Sequence, residues 1–162
     1  MRPLVFLDVD GVINDLGSHD GVGRPWSSRR IRSHGYELII PEYLPGLIQG
    51  LCRMASVVWC TTWREWANEE IAVELGVGPL PVLDPGGIDR SRVWKAPAVA
   101  EFLHSVPAAR SVYWIEDFLG QFPDHLPRVT FVDTMPHPDH GVLMPEHLPD
   151  SISPTLEGSS HV

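Results

Sequence analysis

The sequence holds a single lysine, Lys95, and its twelve basic residues are outnumbered by twenty-one acids. A net charge of -9 disfavours wholesale nucleic-acid binding through a basic surface. Cysteine is scarce too. Cys52 and Cys60 form no CxxC pair and sit in apolar segments, which predicts reduced core thiols in a cytoplasmic protein rather than a redox or metal centre. No run of eighteen apolar residues occurs, so no membrane-spanning helix is expected. The start, Met1-Arg2-Pro3, reaches Asp8 after only a handful of apolar positions, too few for a secretory leader. What is present, 162 residues with 43% hydrophobic and 20% charged side chains, suits one soluble domain with its own core.

Short apolar runs punctuate the chain. Residues 3–8, 56–60, 80–83, 111–115 and 129–132 read as five strands. Between them lie amphipathic stretches. One helix follows "YELIIP" (36–41), itself a short strand or hairpin arm, with Pro41 near its first turn and Leu44, Leu47, Ile48 and Leu51 on one face. A second is "TTWREWANEEIAVELG", with Thr61 or Thr62 as N-cap and Gly76 as C-cap. A third is "WKAPAVAEFLHSV", which tolerates Pro97 only in its first turn. The alternation predicts an α/β fold: a doubly wound, Rossmann-like, mainly parallel sheet of about five strands with helices on both faces. Residues 1–148 would form the domain, with 14–40 as a small loop or hairpin insertion, and 149–162 a disordered tail of low apolar content.

In such sheets ligands bind beyond the carboxyl ends of the strands, near a topological switch point. Asp8 and Asp10 in "VFLDVDGVIN" stand at that address after the first strand. Carboxylates there are costly unless a cation or hydrogen-bond network compensates them. The second strand ends in Thr61 and Thr62, Lys95 opens the helix after the third, and "YWIED" delivers Glu116 and Asp117 after the fourth. Each piece alone has a plainer reading. DxDG can be an Asx turn, Thr61 a helix cap, Lys95 a solvated residue, and Glu-Asp a helix-start acid pair. Their order and shared address make the combination specific.

The four pieces together resemble the motifs of the haloacid dehalogenase-like (HAD) superfamily of phosphohydrolases, over most of residues 3–133. More narrowly, "WCTTW", the following "AN" and "WIED" are similar to a compact branch found in nucleic-acid-repair-like proteins. The resemblance implies a Mg²⁺-dependent phosphatase with a minimal cap. Asp8 would attack phosphorus to form an aspartyl-phosphate, and Asp10 would protonate the leaving group and then activate water. Thr61, or Thr62 beside it, would donate to a phosphoryl oxygen, and Lys95 would supply positive charge. Mg²⁺ would take the Asp8 carboxylate, the Asp10 backbone carbonyl and either Asp117 or Glu116; the family's fourth motif usually carries Asp-Asp or Gly-Asp, so both acids stand as candidates. Gly11 would let the backbone turn closely around the metal, and Asn14 reads as a surface residue or a brace for that loop.

Arg24, Arg29, Arg30 and Arg32 crowd nine positions, either as a solvated loop or as contacts to a phosphate-rich substrate, with Arg29 and Arg30 the substrate-binding candidates. The substrate class is a phosphorylated small molecule or a nucleic-acid end, with no stable nucleic-acid partner required and no membrane. Trp59, Trp63 and Trp66 read as core and pocket wall rather than a base-stacking platform. His125, His137, His140 and His147 lack zinc-site spacing. Two rivals share the inventory: an idle metal-binding or interaction domain on the same scaffold, and a receiver-type phosphoacceptor switch. The second fits poorly, because no later strand ends in a lone Asp ahead of a Thr-terminated strand.

Overall fold

The computed structural model describes residues 1–19, 23–84, 94–117, 126–135 and 141–154. Along the chain, β1 (Leu4–Leu7) leads through the single turn α1 (Leu16–His19) to a hairpin of β2 (Ser28–Ser33) and β3 (Tyr36–Pro41). Then come α2 (Leu44–Met54), β4 (Ser56–Trp59), a π-helical turn (Ala67–Ile71) running into α3 (Ala72–Leu75), α4 (Lys95–Leu103), β5 (Val112–Glu116) and β6 (Val129–Asp133).

The main sheet is parallel, in the order β4-β1-β5-β6, with Leu7 level with Trp59 on one side and Ile115 on the other. Successive side chains of a strand point to opposite faces. Val5 and Leu7 therefore join α2 and α3 in one apolar cluster, while Leu4 and Phe6 join Val99 and Leu103 of α4 in the other. Trp59 and Ile115 follow the first pair, Cys60 and Trp114 the second. The sheet is covered on both faces, which is why its strands read as unbroken apolar runs. Among the described residues no helix is long and apolar enough to cross a membrane.

Several expectations change. The strand expected at 80–83 is reduced to one parallel bridge, Trp59 to Val82. Pro81 has no N–H to give, so the Pro81 carbonyl and the Leu83 N–H meet Trp59 and the ladder stops there. Among the described residues the sheet thus has four full strands rather than five. The helix expected from Thr61 starts only at Ala67, because Arg64 adopts φ +51°, left-handed backbone that an α-helix cannot include. Gly76 does cap it, at φ +66°. In α2 the first-turn proline is Pro45, and Pro41 closes β3 instead.

The insertion contains the hairpin, whose tip His34-Gly35 has φ +50° and +85°, as a tight two-residue turn requires. At the far end the chain stays with the fold beyond Pro149, contrary to the expected tail boundary. Ile152 is fully buried, Ser151 shares a 2.6 Å hydrogen bond with the Tyr113 hydroxyl, and Pro154 lies against Gly50. The rest of that tail, 155–162, lies outside the described residues, as do residues 85–93 and His125, His137 and His140.

Candidate active site

Sheet order makes β1 the switch strand: β4 lies to one side of it, β5 and β6 to the other. The Asp8 N–H donates to the Ile115 carbonyl at 3.2 Å, and the Cys60 N–H to the Leu7 carbonyl at 2.8 Å. Three strand ends are thereby held level, and the register puts Asp8 beside Glu116 and one residue short of Thr61.

Lys95 comes to them from the first turn of α4, with 2% of its surface exposed. Its Nζ lies 2.8 Å from Asp8 Oδ2 and 2.7 Å from Glu116 Oε2. Burial alone disfavours the ammonium, but Asp8 and Glu116 more than offset that and raise the Lys95 pKa. One cation cannot fully compensate two buried acids. Burial, followed by repulsion from Asp8, pushes Glu116 up to about 10 against the counter-pull of Lys95. The Cys60 thiol, fully buried beside them, is also pushed up by burial.

Asp117 completes a cluster: one carboxylate oxygen from each of Asp8, Glu116 and Asp117 lies within 4.8 Å of the others. Three hard oxygen donors at a strand end fit a small divalent cation such as Mg²⁺. Gly11 makes room for the third. It has φ +72°, and a Cβ there would meet the Asp117 side chain, 2.5 Å from Oδ2. The Gly11 carbonyl is pinned in turn by the Thr134 hydroxyl, 2.6 Å away from the end of β6.

Asp10 is held apart from that cluster. Its Oδ1 accepts from Asn14 Nδ2 and its Oδ2 from the Trp63 indole N–H, each at 3.0 Å. Asn14 is buried, which corrects its reading as a surface residue, and its Oδ1 accepts the Ile39 N–H, tying the DxDG loop to β3. The sequence offered Asn14 as a brace for that loop and Trp63 as pocket wall, but neither the Asn14 contact to β3 nor the Trp63 contact to Asp10, and Thr134 was not singled out.

Thr61 is fully buried and its Oγ1 accepts the Trp63 backbone N–H at 3.3 Å, which leaves its hydroxyl hydrogen as a donor. Thr62 is exposed and lines a cleft of about 590 Å³ together with Asp10, Tyr36, Trp63, Trp66 and Trp94. Arg29 and Arg30 are not brought to the acids. Arg29 pairs with Glu74 at 3.0 Å and lines a separate groove, and Arg30 pairs with Glu37 at 2.7 Å. Arg24 is buried against Asp15 at 2.9 Å, where Ser18 and Trp26 also donate, so it braces the insertion.

A search of curated proteins gives no match. One solved structure, a hypothetical protein from Xanthomonas campestris, is similar at 23% identity and a TM-score of 0.36, over 72% of this chain and 54% of that one. The chain thus spans about half the length of that protein. The family model for the HAD domain in Swiss Army Knife RNA repair proteins matches residues 4–142 of the 162, an interval that holds every strand of the sheet and each member of the carboxylate–lysine cluster. The chain belongs to that family of haloacid dehalogenase-like domains.

Proposed function

We propose that this domain is a Mg²⁺-dependent phosphomonoester hydrolase working through an aspartyl-phosphate, with a nucleotide or a polynucleotide end as its substrate. The observation that carries the reading is the Asp8 carboxylate, 2.8 Å from Lys95 Nζ and within 4.8 Å of Glu116 and Asp117 oxygens at the switch point of the sheet. A carboxylate is ionised at neutral pH and needs no base to act as a nucleophile.

An Asp8 oxygen forms the bond to phosphorus as the bond to the leaving oxygen breaks, and Asp10 gives that oxygen its proton. Water then attacks the aspartyl-phosphate, Asp10 takes the proton, and phosphate departs with the Asp8 carboxylate restored. The contacts from Asn14 and Trp63 fix Asp10 for both transfers. Lys95 stabilises the charge on the equatorial oxygens, and Thr61 donates its hydroxyl to one of them. Glu116, bound to Lys95 at 2.7 Å, serves best as the lysine's anchor, which leaves Asp117 beside Asp8 as the metal ligand. When bound there, Mg²⁺ neutralises the approach of an anionic phosphate to Asp8.

The RNA-repair context of the family supports a nucleic-acid end as substrate. The test is hydrolysis of 3′- and 5′-phosphorylated oligonucleotides, mononucleotides and sugar phosphates, with Mg²⁺ and with EDTA. Turnover that EDTA stops, and that Asp8→Asn lowers by on the order of 10³ or more with an unchanged circular dichroism spectrum, is the expected result. Metal binding without turnover of any phosphomonoester would favour the idle-domain alternative.

A further inference from the structure

The cleft beside Asp10 has walls that the phosphoryl chemistry does not use. The hairpin tip forms one of them and the segment after β4 the other. They are latched by His34 stacked on Trp66, with ring centroids 4.0 Å apart, and by Tyr36 edge-on to Trp63 at 5.6 Å. Trp94 also lines the space. Aromatic walls are common simply as packing, yet two of these are not packed away: Tyr36 is 61% and Trp66 46% exposed. Large apolar rings left open around one concavity mark a binding surface.

We propose that this cleft is a stacking subsite for the terminal nucleobase of the substrate, walled by Tyr36, Trp63, Trp66 and Trp94, a role for Trp63 and Trp66 that the sequence reading set aside in favour of core and pocket wall. The inference rests on the phosphomonoesterase reading and adds what the rest of the substrate touches. Asp10 and Thr62 lie on the cleft's lining, so a group bonded to the leaving oxygen beside Asp10 faces that space. Its volume, about 590 Å³, is that of a pocket for one small ligand.

Charge decides how much of a strand it holds. Among the described residues, Asp10, Glu37 and Glu65 line the cleft with Arg64 as the one cation, and Glu37 is paired with Arg30. An acidic lining gives a run of phosphodiesters nothing to bind, whereas a neutral base stacks on aromatic faces whatever its identity. The subsite therefore takes one nucleoside, reads no sequence, and contributes little salt dependence.

The test is calorimetric binding to the Asp8→Asn protein, which needs no turnover. Adenosine 3′- or 5′-monophosphate should bind at least about tenfold tighter than ribose 5-phosphate, the contribution of one stacked base. Trp66→Ala should remove that preference, Trp66→Phe should restore most of it, and Tyr36→Ala should weaken it independently. Equal binding of ribose 5-phosphate, or a preference untouched in both alanine variants, would overturn the subsite. So would a ten-nucleotide strand that binds more than tenfold tighter than the mononucleotide with a steep salt dependence, since that requires a phosphate track. Binding that needs a base and depends on Trp66, in a protein that hydrolyses no phosphomonoester, would sustain the subsite and refute the enzymatic reading alone.

Discussion

Trp63 donates its indole N–H to Asp10 Oδ2 at 3.0 Å across 53 residues of chain, so Asp10, the proposed general acid, is aimed by the loop after a different strand. Asp10 and Asp8, two residues apart, thereby acquire different surroundings: Asp8 faces Lys95, and Asp10 faces neutral donors. Two carboxylates with separate duties need that separation.

Trp63→Phe keeps the ring and removes the donor. Expected is a fall in kcat of about tenfold with KM nearly unchanged, the size of one lost hydrogen bond to a charged group. Steady-state kinetics on one phosphomonoester reads both numbers. A raised KM at constant kcat would mean that Trp63 serves binding and not Asp10.

Lys95→Ala leaves Asp8 and Glu116 buried without their cation. The metal-free variant should lose about 3–5 kcal/mol of stability in urea unfolding, as when one partner of a buried ion pair is removed. Added Mg²⁺ should recover part of that loss, because it re-supplies positive charge to the same oxygens. A variant as stable as the parent would show that the ammonium compensates nothing.

Glu116 gives the metal-free protein a pH dependence. Its pKa rises from 4.5 to about 10 on folding, so the native state keeps a proton that the unfolded chain releases. The contribution is complete below pH 4.5 and is lost progressively as pH climbs toward 10. Thermal melts of the EDTA-treated protein across that range should decline more steeply than those of Glu116→Gln. Parallel curves would refute the shift.

Gly11→Ala places a methyl against the Asp117 side chain at φ +72°. The expected cost is about 1–3 kcal/mol, with Asp117 displaced from its neighbours. The increase in Tm on adding Mg²⁺, a measure of metal affinity, should shrink or vanish in the variant. A full metal-induced shift would mean that Asp117 is not a ligand.

Much of this site was legible beforehand. The acids and threonines sit where apolar runs end, Lys95 opens the helix that follows one, and a parallel sheet collects those positions at one edge, so Asp8, Lys95, Glu116 and Asp117 meet as expected. The arginines were misleading. A cluster in sequence alternates faces once it forms β2, and Arg29 and Arg30 pair with different carboxylates, Glu74 of α3 and Glu37 of β3. Trp63 and Thr134 carried no periodic or spacing pattern, since each acts through one long-range hydrogen bond, and for Asn14 the bond to the distant Ile39 was the part that no local pattern showed.

The linear pattern determined the layered α/β architecture and the address of the chemistry, because hydrophobic alternation and strand-end placement are local properties of the chain. Tertiary structure decided which donor aims Asp10, which acid anchors Lys95, and that the hairpin closes over Trp66 to leave an aromatic cleft. Those relationships depend on distances between segments tens of residues apart, and such distances exist only once both faces of the sheet are packed.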